Sequence, residues 1–395
     1  MTRSGHIIAA LPVYAAALFQ GLTLVSFPAS SDVLKQALGF TDAQYGAIFL
    51  PQVAAAILGA LGGGALSGRY GLKTMFVLAL LANVVSQALL SLSAAVPLGV
   101  AYLTILLGTG FLGLGFGMTG GPLNAYPRLL FPHKAGTALL ALHSTIGVGL
   151  SVGPLLVGWL SMRGVWLAFP VVLAVAGIVL AFLSATIQLP ADRTVASESE
   201  MDMGPTAHPE FWLLAAIAVV YAFAEGTFSS WAVIYVRESR GLAPAIATSS
   251  LSAFWAALVV GRLLASGVLL RFSPLLPWSV LPLVILCALL FIPTIATPAG
   301  AIFGFALAGF GCSAFYPLTV ATASARFPGA VAFVSSMLTA ALMFGSGAAS
   351  FIVGDLRTAL SLEQLYRVSA LYPAIVLGLM ALTIRLTHAK RSAVA

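Results

Sequence analysis

Apolar runs of about 20 residues, separated by short polar breaks, recur along the whole chain. A helix rises about 1.5 Å per residue, so each run is long enough to cross a hydrocarbon core of about 30 Å. The composition agrees, because 60% of the residues are hydrophobic and only 7% are charged. A soluble domain has about 25% charged residues. The sequence therefore predicts an all-α integral membrane protein.

Twelve transmembrane helices are predicted. They cover residues 7–30, 43–66, 74–94, 99–123, 137–160, 165–187, 211–236, 245–270, 275–295, 299–323, 330–353 and 365–386. The first run is longer than the apolar core of an ordinary signal peptide and has no clear small-x-small cleavage site after it, so we interpret it as the first span.

The positions of Lys and Arg predict the orientation, because cytoplasmic loops are enriched in both. With both termini in the cytoplasm, eleven of the 18 basic residues lie on the inner side, six lie outside and Arg262 lies within a span. We therefore expect a multi-pass inner-membrane protein. The same bias explains the net charge of +7, and no basic tract indicates a nucleic-acid partner. Cys287 and Cys312 lie in separate spans and predict neither a disulfide nor a metal site.

Residues 188–210 form the longest polar stretch and are rich in Pro, Ser and acidic residues. This composition cannot bury a core, so it predicts a flexible cytoplasmic linker. The linker separates an N-terminal six-helix bundle, residues 1–187, from a C-terminal six-helix bundle, residues 211–395.

The two halves resemble each other at matched positions. The pairs are Gln20 and Glu225, Gly21 and Gly226, Gly59 and Gly261, Arg69 and Arg271, Pro122 and Pro317, Gly149 and Gly345, and Gly158 and Gly354. Parallel repeats are typical of transporters in which two bundles rock about a site near the midplane. The repeat therefore predicts alternating access.

Two motifs are similar to those of the major facilitator superfamily. The loop GALSGRYGLK resembles the motif between helices 2 and 3 of that superfamily, which implies a role in gating, and keeps Gly64, Arg69, Gly71 and Lys73. Gly68 stands where the family usually has an acid, so the charge relay of that motif does not carry over intact. The fifth span contains GVGLSVGPLLVGW, which resembles the superfamily's glycine–proline motif. Small residues at this spacing also serve close helix packing alone.

Within that superfamily, five stretches look like the fucose-permease-like sugar transporters and their glucose-transporter relatives. They are GLGFGMTGGPLN, LLALHSTIGVGLSVGP, YAFAEGTFSSWAVIYV, FWAALVVGRLL and GFGCSAFYP. Fucose permease has functional acids at positions that correspond to Pro28 and Gly120, so its coupling scheme cannot be transferred. Asn124 is a matching polar position, and His143 stands where that permease has an amide.

Glu225 is the acidic residue that the predicted spans contain, and it lies near the middle of the seventh. A carboxyl group at membrane depth is costly unless it faces a polar cavity or carries a proton, so it indicates a functional site. We expect Glu225 to bind and release the coupling proton. The alternative is a neutral acid that hydrogen-bonds a neighbouring helix for packing.

Arg262 in the eighth span has two interpretations. It could bind a carboxylate or another anionic solute through its planar fork, or it could cap backbone carbonyls at a helix end near the inner gate. Pairing with Glu225 is a third arrangement that the sequence leaves open.

The other candidates for substrate binding are uncharged or aromatic. They are Gln20, Asn124, His143, Tyr221, Trp231, Trp255 and Tyr316, with Tyr14 as a further polar position. His143 could also titrate or serve as a neutral hydrogen-bonding group. The two Trp residues could stack on a sugar ring, and Trp231, near the outer end of its span, could equally be an interface anchor.

These features predict a proton-coupled secondary transporter for a small polar solute, a sugar or sugar derivative. Organic-anion symport through Arg262 and proton-coupled drug efflux are the alternatives, and sodium is not excluded as the coupling ion. We expect a monomer, the superfamily default, without a cofactor. A sensor built on a transporter fold is another possibility. An enzyme is not expected, since no HExxH string is present and His143 and Glu225 lie in different halves.

Overall fold

The computed structural model describes residues 3–190 and 204–394. Within these ranges the secondary structure is helical and contains no strand. The chain divides into two compact units, Met1–Glu198 and Ser199–Ala395. We call them the first and the second unit. The prediction of an all-α membrane protein is confirmed.

The first unit contains the first six spans. Their helices are Arg3–Leu24, then Asp42–Ala47 with Phe49–Tyr70, Leu72–Leu92, Leu98–Leu130, Ala135–Met162 and Ala168–Thr186. Two short helices, Ser26–Ala29 and Ser31–Leu38, join the first span to the second. Thr41 and Gln44 form a capping box that fixes the start of the second span, which satisfies two of the backbone N–H groups left open at a helix start.

The second unit contains the other six. Their helices are Pro209–Ile234, Pro244–Val268, Leu275–Phe291, Pro298–Cys312 with Phe315–Arg326, Val331–Leu356, and Leu362–Ser369 with Leu371–Val394. Eleven helices of the described chain are long and apolar enough to cross a membrane, and the first span contributes a shorter apolar stretch, Ile8–Leu24. The described residues thus contain twelve apolar helical spans, as the sequence predicts.

Glycines lie at close helix crossings in each unit. An added Cβ at Gly21 would lie 2.1 Å from the Ile146 carbonyl oxygen, and one at Gly226 would lie 2.6 Å from that of Ser346. Only a residue without a side chain allows backbones to approach this closely. Because Gly21 and Gly226 were matched in sequence, the repeat extends to the geometry of the crossings.

The matched fourth and tenth spans differ in continuity. The fourth is one helix, Leu98–Leu130, and extends past the predicted end at residue 123 through Pro122 and Pro127. The tenth is interrupted after Cys312 and resumes at Phe315. Hydropathy does not register this break, because the interrupted residues are themselves small and weakly polar.

Much of the predicted linker, residues 191–203, lies outside the described residues. Its end is structured: Gly204–Ala207 form a 3-10 turn, and the seventh span begins at Pro209. Glu210, which the sequence places in the linker, is buried in the first turn and pairs with Arg326 at 3.2 Å. This ion pair holds the entry of the seventh span against the end of the tenth.

Candidate functional site

Glu225 lies in a polar cluster inside the second unit. Its Oε2 is 2.5 Å from the hydroxyl of Tyr221, one turn earlier on the same helix. The Tyr221 hydroxyl also lies 2.8 Å from the carbonyl oxygen of Cys312 on the tenth span. Tyr221 is only 2% exposed, whereas Glu225 is half-buried. The carboxyl group is therefore hydrogen-bonded, and its neighbour is fixed by a second helix.

Arg262 lies on the eighth span beside the same break. Its Nε donates to the Ser313 carbonyl at 2.9 Å, and its charge lies close enough to Glu225 to interact with it electrostatically. Gly261 makes this approach possible, since a Cβ there would lie 2.5 Å from the Ser313 side chain. The geometry is that of a carbonyl cap, one of the two interpretations of Arg262. Its two terminal nitrogens have no hydrogen-bond partner among the described residues, and the side chain is largely exposed.

Aromatic rings of the seventh, ninth and tenth spans pack against one another beside the cluster. The Tyr221 ring packs on Phe315, the first residue after the break, with centroids 5.1 Å apart. Trp278 of the ninth span stacks on Phe315 at 6.2 Å and donates its indole N–H to Thr319. Residues on both sides of the break are thus held by Tyr221: Cys312 by its hydroxyl and Phe315 by its ring.

The remaining candidates of the second unit differ in exposure. Trp231 is fully buried, so in this structure it is neither a lipid-facing anchor nor open to a solute. Trp255 is partly exposed, although its indole nitrogen is buried and has no hydrogen-bond partner in the part of the chain that the structure describes. Tyr316 is partly exposed and shares a 2.9 Å hydrogen bond with Thr339 of the eleventh span. Trp255 and Tyr316 therefore keep some surface on which a solute could bind.

Gln20, the counterpart of Glu225, is only 2% exposed in the first unit. Its Oε1 accepts from Asn83 at 3.1 Å and from Thr119 at 3.0 Å. These bonds join the first, third and fourth spans. In this structure Gln20 therefore serves packing of the bundle and does not present its amide to a solute.

Asn124 and His143, which the sequence proposed independently, are brought together. His143 Nε2 lies 3.2 Å from Asn124 Oδ1, and Asn124 Nδ2 donates to the Gly120 carbonyl at 2.7 Å. Because a carbonyl can only accept, the amide orientation is determined, and His143 must donate from Nε2. The pair is more exposed than Gln20 and forms the accessible polar site of the first unit.

Tyr14 contributes to packing between spans, since its hydroxyl donates to the Ala138 carbonyl at 2.8 Å.

The predicted gating motif lies at the end of the second span. Gly71 adopts φ 85° and separates two helices, which is a conformation that favours glycine. Lys73 donates to the carbonyl of Ile187, at the end of the sixth span, at 2.8 Å. Arg69 lies over the Tyr70 ring, and Gly64 lies in the last turns of the helix. In this structure Lys73 therefore caps the end of the sixth span within the first unit.

A serine-hydrolase pattern is present in residues 149–153, GLSVG. Ser151 lies inside the helix Ala135–Met162, and its hydroxyl donates to the Gly147 carbonyl at 2.7 Å. A nucleophile elbow requires a sharp turn between a strand and a helix. The setting of Ser151 is therefore structural.

A family model described as the Major Facilitator Superfamily matches residues 13–350. The chain belongs to the Major Facilitator Superfamily. The resemblance drawn from the motifs is thereby confirmed, and the chain is a multi-pass membrane transporter. Among curated proteins, none matches the sequence significantly.

Solved structures share the fold at low sequence identity. The nucleoside transporter NupG superposes with a TM-score of 0.78 at 13% identity, covering 94% of this chain and 98% of its own. A D-xylose–proton symporter gives 0.74 at 15%, covering 96% of each chain. The E. coli fucose:proton symporter FucP gives 0.60 at 14%, covering 97% of this chain and 98% of its own. At these identities the similarity concerns the fold.

Proposed function

We propose that this chain is a proton-coupled secondary transporter that moves a small polar solute, a sugar or sugar derivative, by alternating access. The observation that carries the proposal is the Glu225 carboxyl group in the middle of the seventh span, hydrogen-bonded to Tyr221. A titratable group at membrane depth is the means by which a carrier takes up and releases a proton. Its counterpart Gln20 cannot titrate, which supports placing the coupling in the second unit.

The solute class is supported by the polar groups and by the similar structures. Asn124 and His143 in the first unit, and Trp255 and Tyr316 in the second, are the partly exposed members of the predicted binding set. Amides, an imidazole, a phenol and an indole suit a hydroxyl-rich ring, since they combine hydrogen bonding with a stacking surface. The similar structures are a nucleoside transporter, a D-xylose–proton symporter and a fucose:proton symporter.

Organic-anion symport is the second candidate, and Arg262 is the observation that favours it. Its Nε donates to Ser313, whereas its two terminal nitrogens have no hydrogen-bond partner among the described residues and the side chain as a whole is exposed. The planar fork of these nitrogens can bind a carboxylate with two parallel hydrogen bonds. The same positive charge beside Glu225 disfavours a cationic drug as the solute.

The first experiment identifies the solute. Purified protein is screened by thermal shift with D-xylose, L-fucose, uridine, small carboxylates and cationic drugs, since a ligand that binds the folded state raises its apparent stability. Stabilisation by a carboxylate alone would favour the second candidate. Stabilisation by a sugar or nucleoside supports the first.

The second experiment tests the proton. Uptake of the best sugar into proteoliposomes is measured with and without an imposed pH gradient, and exchange is measured by counterflow. Glu225→Gln keeps the shape and hydrogen-bonding capacity of the side chain but cannot titrate. We expect it to abolish gradient-driven accumulation and to flatten the pH dependence of uptake, while exchange persists because exchange requires no net proton movement.

Glu238→Gln is the matched control. Glu238 lies beyond the outer end of the same helix, 3.7 Å from Arg357, and its variant should accumulate the sugar as the wild type does. An imposed sodium gradient in place of the pH gradient tests the other coupling ion. If Glu225→Gln accumulates the sugar without loss, the proton site lies elsewhere, with His143 as the next residue to replace.

A further inference from the structure

The break in the tenth span is held by side chains of two other helices. The carbonyl of Cys312 lies within hydrogen-bond distance of Tyr221 on the seventh span, at 2.8 Å, and that of Ser313 accepts from Arg262 on the eighth, at 2.9 Å. Carbonyls at a helix end lack intrahelical partners and need such donors. The break is therefore stabilised from outside and responds to whatever changes those donors.

The Tyr221 hydroxyl has one hydrogen and faces two acceptors. When Glu225 is ionised it can only accept, so the Tyr221 hydrogen points to the carboxylate. When Glu225 is protonated, its own O–H can donate to the Tyr221 oxygen, and the Tyr221 hydrogen turns to the Cys312 carbonyl. Both bonds are then made by neutral groups. Proton uptake at Glu225 therefore adds a hydrogen bond at the break.

Among the groups around Glu225, Tyr221 is the one whose hydrogen bonds can change with the protonation of the carboxyl group. The charged and titratable neighbours are Tyr221 on its own helix, Arg262 on the eighth span, and Cys312 and Tyr316 on either side of the break. Of these, Arg262 is committed to the Ser313 carbonyl through Nε and Tyr316 to Thr339. Among the described residues, Tyr221 alone lies within hydrogen-bond distance of both the carboxyl group and a backbone carbonyl of the tenth span.

We propose that Tyr221 is a positioning residue that transmits the protonation state of Glu225 to the break in the tenth span, tightening the break when the proton is bound and loosening it when the proton leaves. The inference rests on the proposed role of Glu225 as the proton site. It replaces the earlier expectation that Tyr221 binds the solute, because its burial leaves no surface for one. No atom other than the proton is exchanged.

The test needs no solute, because pH alone is the probe. Amide hydrogen exchange of the segment 309–318 is measured on purified protein in acidic and alkaline buffer and corrected for the intrinsic pH dependence of exchange. In parallel, infrared difference spectra follow the carboxyl band of Glu225, which is identified by its loss in Glu225→Gln. One hydrogen bond corresponds to a change in protection of about fivefold to tenfold.

In the wild type, protection of the break should rise by that factor on acidification, with the same midpoint as the carboxyl band. Tyr221→Phe keeps the ring on Phe315 but lacks the hydroxyl, so the carboxyl band should still titrate while protection of the break no longer depends on pH. Glu225→Gln can donate its amide N–H to the Tyr221 oxygen but cannot titrate, so protection of its break should be the same in both buffers.

Tyr126→Phe is the matched control, since Tyr126 is fully buried in the first unit and its hydroxyl has no hydrogen-bond partner among the described residues. Its break should respond as in the wild type. A break that still follows pH in Tyr221→Phe, with the carboxyl band titrating, overturns the relay and leaves the proton site standing. A carboxyl band that does not titrate overturns the proton site, and the relay with it.

Discussion

An alanine at Gly113 or at Gly309 is expected to destabilise the unit that contains it, and by similar amounts. Gly113 on the fourth span faces the Gln52 carbonyl of the second, and Gly309 on the tenth faces the Phe254 carbonyl of the eighth. In both cases an added Cβ would lie 1.9 Å from the carbonyl oxygen. The two positions are the same crossing in the two units.

The magnitude follows from the distance that must be gained. A Cβ is essentially never found within 3.0 Å of another heavy atom, so the helices must separate by at least 1.1 Å along this contact. Overpacking of this kind costs about 1–3 kcal/mol, and a rigid carbonyl places it at the upper end. The better helix propensity of alanine offsets about 0.5–1 kcal/mol. The net loss is about 2 kcal/mol, which lowers the melting temperature of a unit this size by about 4–8 °C.

The assay is thermal unfolding of the detergent-purified variants, followed by tryptophan fluorescence. Gly62→Ala is the control: it lies within a helix and an added Cβ meets nothing within 4 Å, so the same substitution should stabilise by about 0.5–1 kcal/mol. If Gly309→Ala melts at or above the temperature of Gly62→Ala, the helices do not cross at backbone contact there. If only one of the matched pair destabilises, the crossings are not equivalent.

Arg262 and the orientation give the remaining predictions. If Arg262 serves as a carbonyl cap, Arg262→Lys should leave the apparent affinity for the sugar within about twofold of the wild type while turnover falls. A loss of carboxylate affinity of about tenfold or more would instead assign Arg262 to an anion site. Binding titrations measure the affinities and uptake kinetics measure the turnover. Reporter fusions after Glu200 and at the C-terminus should report cytoplasm, and one after Ser239 should report the outside; a periplasmic signal after Glu200 would contradict the predicted orientation.

The spans could be predicted because a bilayer imposes one length on every crossing helix. The differences lie where hydropathy carries no information. The predicted fourth span ends at residue 123, beside Pro122, whereas the helix continues to Leu130. Neighbouring helices in a membrane protein compensate for the hydrogen bond that a proline removes. The capping boxes at Thr41 and Ser361 fall inside or beside apolar runs and mark helix starts that a hydropathy window averages away.

The site could be predicted in its residue types and only partly in its geometry. A lone acid in an apolar run is costly, and this makes Glu225 a candidate site residue. Which atoms it contacts depends on Cys312, 87 residues further along the chain, and that contact is to a backbone carbonyl, which every residue has. Glu210 was missed for the opposite reason: its acidic neighbours in the sequence suggest a solvated linker, and only the fold shows that Arg326 lies opposite.

The break in the tenth span coincides with a sequence difference between the two units. Gly117 lies in the fourth span, four residues after Gly113. An added Cβ at Gly117 would lie 2.1 Å from the Ala56 carbonyl oxygen. The residue four after Gly309 is Ser313, which has a side chain where the fourth span has none. The tenth helix ends at Cys312, one residue before it.

Breaking the helix exposes carbonyls, and the second unit supplies donors that the first lacks. Gly261 matches Gly59, so the next residue, Arg262, matches Ala60. The second unit therefore has an arginine where the first has a methyl group, and this arginine donates to the Ser313 carbonyl. Glu225 likewise stands where the first unit has Gln20. A titratable group, a broken helix and a cation thus occur together in one unit and are all absent from the matched positions of the other. A carboxyl group alone would bind a proton without changing the backbone around it. Beside a break whose carbonyls depend on donors from other helices, the same proton changes which carbonyls are hydrogen-bonded. A coupling site requires this property, because proton binding must favour one conformation over another.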